Sequence, residues 1–168
     1  MTLLYLVRHG ETVDNANQVM QGQTPGRLNE AGIRQAEALA VKMFDVKIDT
    51  FVSSDLKRAM DTAEIVARSH AIQLHTTPLL RERDWGSFTG RFIPDLKDAK
   101  WTDDIETLDQ LQERAQRFLE YIKSDYPNQV VFAVGHGIIN KAIQAVYYHK
   151  PMNQIEKMTN AEVRVLKL

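Results

Sequence analysis

With 168 residues, 43% of them apolar and 26% charged, the chain is long enough to bury a core without cross-links and too hydrophobic for a disordered or fibrous protein. A formal net charge of -1 excludes bulk attraction to nucleic acid or to an anionic membrane, so any anion must be held locally. The lack of cysteine removes disulfides, thiolate catalysis and cysteine-ligated metals. No run reaches transmembrane length, and Met1 to Val7 is too short for a signal peptide, which makes a cytoplasmic location the default expectation.

Taken in chain order, Leu3 to Val7 is a nearly continuous apolar run ending at a polar, glycine-containing turn, the pattern of a buried strand. Residues 14 to 26 are rich in Asn, Gln and Gly and read as a loop with a helical turn at its start. Asn29 is placed to cap a helix whose inward face is Ile33, Ala36, Ala40 and Met43. Thr50 to Val52 is a second strand. The stripe Leu56, Ala59, Met60, Ala63, Val66, Ala67 then predicts a helix capped by Ser54, with Arg58 in its first turn. A third strand is expected at Ile72 to Leu74, and residues 76 to 103, punctuated by Pro78, Gly86, Gly90 and Pro94, are expected to be mostly irregular.

A long helix follows, with Leu108, Leu111, Ala115, Phe118, Leu119 and Ile122 on one face. Val130 to Val134 is the most strand-like run, broken by Gly135-His136-Gly137. A helix with Ile139, Ala142, Ile143 and Val146 inward is expected to stop at Pro151, and Val163 to Leu168 reads as an edge strand. Alternating strands and helices without repeat or linker predict one domain over residues 1 to 168: a mostly parallel sheet with helices on both faces.

In such sheets the ligand crevice lies beyond the carboxyl ends of the strands. Here those ends carry Arg8-His9-Gly10, Ser53 to Arg58, Arg81-Glu82-Arg83 and Gly135-His136-Gly137. The set suits a phosphate monoester. Arg8 and Arg58 supply planar donors, one imidazole can attack phosphorus, and the second can hold an equatorial oxygen. Gly137 offers a backbone N–H at a helix N-terminus. The surrounding cations should depress the attacking histidine's pKa, and Glu82 can protonate the departing oxygen and then deprotonate water. A surface ion-pair cluster with Arg81 and Arg83 competes as the reading of Glu82.

Arg8-His9-Gly10-Glu11-Thr12, Asn15, Ser53 to Ala59 with Thr62-Ala63, Leu80 to Arg83 with Trp85-Gly86 and Gly90, and Gly135-His136-Gly137 together resemble the histidine phosphatase superfamily, the phosphoglycerate mutase-like proteins. The resemblance spans nearly the whole chain in the family's order. It implies a three-layer α/β/α sandwich, no metal or other cofactor, His9 as phosphorylated nucleophile, a phosphate pocket of Arg8, Arg58 and His136, Glu82 as proton donor and Asn15 as a secondary phosphate contact. Gln21, Gln23 and Arg83 are placed at the substrate rim.

Only 53 residues (83–135) separate Glu82 from His136, whereas the family's glycolytic mutases carry a much longer insertion there. An open phosphohistidine meets water, so the expectation is a phosphatase acting on a small phosphorylated metabolite. A phosphoglycerate-type mutase and a non-catalytic phosphate-binding protein are the alternatives. Asp14, where many relatives have an aromatic residue, and Ile138-Ile139, where they have small polar ones, should alter the rim. His70, His75 and His149 show no metal-ligand spacing, and the oligomeric state is left open.

Overall fold

The computed structural model describes residues 1–168. One sheet contains β1 (Leu3–Arg8), β2 (Thr50–Ser53), β3 (Leu74–Thr76), β4 (Val130–Gly135) and β5 (Val163–Lys167), in the order β3-β2-β4-β1-β5. All neighbours are parallel except β5, which runs antiparallel to β1 along one edge. Parallel neighbours need crossovers. These are built around α1 (Val13–Ala16), α2 (Glu30–Met43), α3 (Lys57–Ala67) and α4 (Leu108–Asp125), while α5 (Gly137–Tyr148) leads from β4 towards β5, the mixed α/β architecture expected.

Strand alternation divides the core into two layers. Leu4, Leu6, Val52, Val131 and Ala133 pack with Leu111, Phe118 and Ile122 of α4 and Ile139 and Ile143 of α5. On the opposite face Val7, Phe51, Phe132 and Val134 pack with Leu39 and Met43 of α2 and Ala63 and Val66 of α3. Because successive side chains of a strand point to opposite sides, an uninterrupted apolar run serves both layers at once. No helix is long and apolar enough to cross a membrane.

Several boundaries differ from the sequence reading. The inward face of α2 is Gly32, Ala36, Leu39 and Met43, and Ile33 is exposed. The helix is turned so that Gly32 meets the loop after β1. A Cβ on Gly10 would lie 2.6 Å from the Gly32 carbonyl oxygen, and one on Gly32 would overlap the Glu11 backbone. The third strand begins at Leu74 because α3 runs to Ala67 and the chain reverses through Ala71 at φ 52°. Leu108 opens α4 behind the Thr107 cap and is exposed. Helix α5 ends before Pro151, at the left-handed His149 (φ 54°). Residues 76–103 contain short 3-10 turns at Pro78–Leu80, Gly86–Phe88 and Ile93–Leu96.

Candidate active site

Register puts the strand ends level. Arg8 lies opposite Gly135 on one side of β4, and Ser53 lies opposite Val134 on the other. The residues that follow, His9, Ser54 and His136, therefore emerge side by side at the carboxyl edge of the sheet. A pocket of about 270 Å³ opens there, with Arg8, His9, Asn15, Arg58, Glu82 and Gly137 on its wall.

His9 is 2% exposed, and its Nδ1 lies 2.6 Å from the carbonyl oxygen of Gly10. A carbonyl can only accept, so Nδ1 carries the proton and Nε2 keeps a free lone pair. Burial, then the charge of Arg58, pushes the imidazole pKa down to about 3; the Gly10 bond opposes this and Arg8 assists it. The cations anticipated from sequence thus act second to desolvation. The backbone is pinned around this residue: Gly10 N donates to Thr62 Oγ1 at 3.1 Å, and the His9 carbonyl accepts from Asn160 Nδ2 at 3.0 Å and from Ala161 N at 3.3 Å.

His136 is fully buried, its ring edge-on to that of His9 with centroids 4.9 Å apart. Its Nε2 is 2.7 Å from Ser54 Oγ, and that oxygen accepts from Leu56 N at 3.3 Å. With His136 as the hydroxyl's acceptor, Ser54 donates to Nε2 and the proton of the neutral ring sits on Nδ1, which has no partner. Burial and then Arg58 hold this imidazole well below its ordinary pKa. Ser54 was expected to cap α3. That helix instead starts at Lys57 without a side-chain cap, and Ser54 sets the tautomer of His136.

Arg58 is 1% exposed, and its terminal nitrogens donate to the carbonyls of Thr24 and Gly22, the latter at 2.8 Å. Arg8 Nη1 donates to the Met158 carbonyl at 2.7 Å. Burial lowers the pKa of both guanidiniums, Arg58 to about 10, which leaves each charged at neutral pH. The Nε atoms of both arginines, like His136 Nδ1, are buried without an acceptor. Arg8 and Arg58 stand on the pocket wall, whereas His136, expected there from sequence, lies off it and packs its ring against that of His9, which is on the wall. Buried N–H groups ordinarily find partners, so three such donors in one neighbourhood suit an anion.

Glu82 does not pair with its neighbouring arginines. Arg81 makes a two-pronged bond to Asp55 (2.7 and 2.6 Å), and Arg83 donates to the Glu106 carbonyl and stacks over Trp85 and Trp101. The Glu82 carboxylate accepts from the backbone N–H of Arg83 (2.9 Å), Ile138 (3.1 Å) and Ile139 (3.0 Å). It thereby takes the first-turn donors of α5 and much of the helix end that the sequence reading offered to substrate. Gly137 still borders the pocket: a Cβ there would be 3.5 Å from Arg8 Cζ.

Asn15 lines the pocket while its Oδ1 accepts from Thr12 N at 3.0 Å, and Gln21 lines it while accepting from Thr12 Oγ1 at 2.9 Å. Gln23 and Arg83 do not line it. Gln23 Nε2 is spent on the Glu82 carbonyl (3.1 Å), and Arg83 is drawn away by the two indoles. Ser54's bond to His136, Asn160, Lys141 and Lys157 were missed. Lys141 had a signal, one helical turn after Gly137; Asn160 and Lys157 had none, being far from any motif.

A family model described as the histidine phosphatase superfamily (branch 1) matches residues 4–168. A relative named an uncharacterized phosphatase, PhoE, of Bacillus subtilis is 34% identical over 96% of this chain and 86% of its own length. A metal-independent phosphoserine phosphatase of Arabidopsis thaliana is 33% identical over 100% of this chain and 77% of its own. A probable phosphoglycerate mutase, GpmB, of Yersinia pestis is 41% identical, over 60% of this chain and 48% of its own. The solved structure of Bacillus stearothermophilus YhfR superposes with a TM-score of 0.94 at 26% identity, covering 100% of this chain and 92% of that one.

Proposed function

Since the chain belongs to the histidine phosphatase superfamily, we propose that it is a one-domain phosphatase that hydrolyses a phosphate monoester of a small metabolite through a phosphohistidine on His9. The observation that carries this reading is a neutral His9 with a free Nε2, beside three buried N–H donors that lack acceptors. The donors hold the transferring group by its equatorial oxygens, and their alignment before reaction means that little reorganisation is needed as charge develops.

In the first step His9 Nε2 attacks phosphorus, the P–O ester bond breaks, and the leaving oxygen takes a proton from the Glu82 carboxyl group. In the second, Glu82 takes a proton from water as that water attacks the phosphohistidine, releasing phosphate and restoring both residues. Arg8 and Arg58 stay cationic throughout, and His136 donates from Nδ1 as a neutral ring. The two relatives above that match nearly all of this chain carry phosphatase names, which supports transfer to water. The GpmB match, confined to part of each chain, favours the mutase reading, which would show isomerisation dependent on a bisphosphorylated primer.

The test is hydrolysis of an aryl phosphate in the presence of EDTA, with product analysis and trapping of acid-labile phosphoprotein. His9→Ala should lose the phosphoprotein and at least about a thousandfold in kcat. Full activity in that variant, or no phosphate release by the wild type, would sink the proposal.

A further inference from the structure

The pocket carries more positive charge than a phosphate ester uses. Besides Arg8 and Arg58, its wall includes Lys141 and Lys157, and its one acidic residue is Glu82. Neither lysine takes part in any ion pair of the molecule, although a lysine with an acid in reach does pair, as Lys57 does with Asp61 at 2.7 Å. Glu82 is already occupied by three backbone N–H donors.

The two lysines flank Arg8. Lys141 lies one helical turn beyond Gly137, about 6 Å along α5, on the face that packs beside the Arg8 guanidinium. Lys157 precedes Met158, whose carbonyl binds Arg8 Nη1 at 2.7 Å and so fixes this segment at the pocket. Val19, Met20, Trp85, Ile93 and Ile138 supply the apolar part of the same wall, beside the polar Asn15 and Gln21.

We propose that Lys141 and Lys157 form a second anion subsite, and that the substrate is a phosphomonoester bearing another anionic group across a short, largely apolar spacer. The inference rests on the reading of the pocket as a phosphomonoester site and narrows it. A phosphate dianion leaves part of the cationic wall unmatched, and a second carboxylate or phosphate completes the match. The lysines are partly exposed, so the contribution is screened by salt.

Calorimetric titration with benzylphosphonates, which cannot be hydrolysed, tests this separately from turnover. The probes are 3- and 4-carboxybenzylphosphonate, each paired with its neutral carbamoyl counterpart. The wild-type protein should bind the better carboxylate isomer about tenfold more tightly than its amide, and the ratio should shrink as salt rises. Lys141 is half-buried, Lys157 is exposed and neither makes an ion pair, so K141Q/K157Q should fold, and in that variant the ratio should drop below about twofold. A wild-type ratio under about twofold for both isomers, or a ratio that survives in K141Q/K157Q, overturns the subsite. Discrimination without hydrolysis of the matching aryl phosphates overturns the phosphatase reading instead.

Discussion

A histidine buried at 2% exposure with its pKa at about 3 is a liability as well as a nucleophile. Below its ordinary pKa of about 6.5 the unfolded chain binds a proton at this residue that the folded chain refuses until far lower pH. The unfolded state therefore binds more protons between those values, and stability falls as pH drops from about 6.5 towards 3. His136 acts in the same direction. Urea unfolding of wild type and His9→Asn isolates the effect of His9, because carboxylates titrate alike in both. From pH 6 to 4.5 the wild type should lose about 2 kcal/mol more than the variant; parallel curves would show that His9 is not held neutral. Ser54 illustrates the same scale. Its hydrogen bond to Nε2 leaves the ring proton of His136 on Nδ1, a property visible only once a residue 82 positions away is 2.7 Å distant.

Among the elements, α5 has an unusual start. Its N-cap is His136, which makes no side-chain cap, and the carboxylate that receives the first-turn N–H groups comes from Glu82 in a different segment. One residue thus serves as cap and as proposed proton donor, and two variants separate the roles. Glu82→Gln keeps an acceptor oxygen and should retain stability, whereas Glu82→Ala should lose about 1 kcal/mol, or about 2–4 °C in Tm. Both should lose roughly a hundredfold or more in kcat, because neither can move a proton. Equal Tm values for the two would remove the capping role. Periodicity made the helices and the strand ends legible, and so the positions of Arg8, His9, Arg58, Glu82 and His136. What it left unread depends on rotation and partner choice: Gly32 facing inward in place of Ile33, Arg83 captured by Trp85 and Trp101, and Gln23 bound to the Glu82 carbonyl. A chain pattern specifies spacing along an element, while these features arise from neighbours far away in sequence.

At the scale of the whole molecule, a net charge of -1 conceals a strong local imbalance. Acids and bases nearly cancel over the chain, yet one pocket gathers Arg8, Arg58, Lys141 and Lys157 against Glu82. Mutual repulsion among these cations, together with donors buried without acceptors, works against folding, and an anion of the right shape relieves both. Inorganic phosphate should therefore stabilise the protein far beyond the effect of ionic strength. At a concentration near 100 times its Kd the gain is about 2.7 kcal/mol, which corresponds to roughly 5–11 °C in Tm for a chain of this size. Chloride at matched ionic strength screens the cations but cannot satisfy Arg8 Nε, Arg58 Nε and His136 Nδ1 together, so its effect should be a small fraction of that. Thermal melts in the two salts decide the matter: superimposable curves would mean that the donors do not act as one anion site.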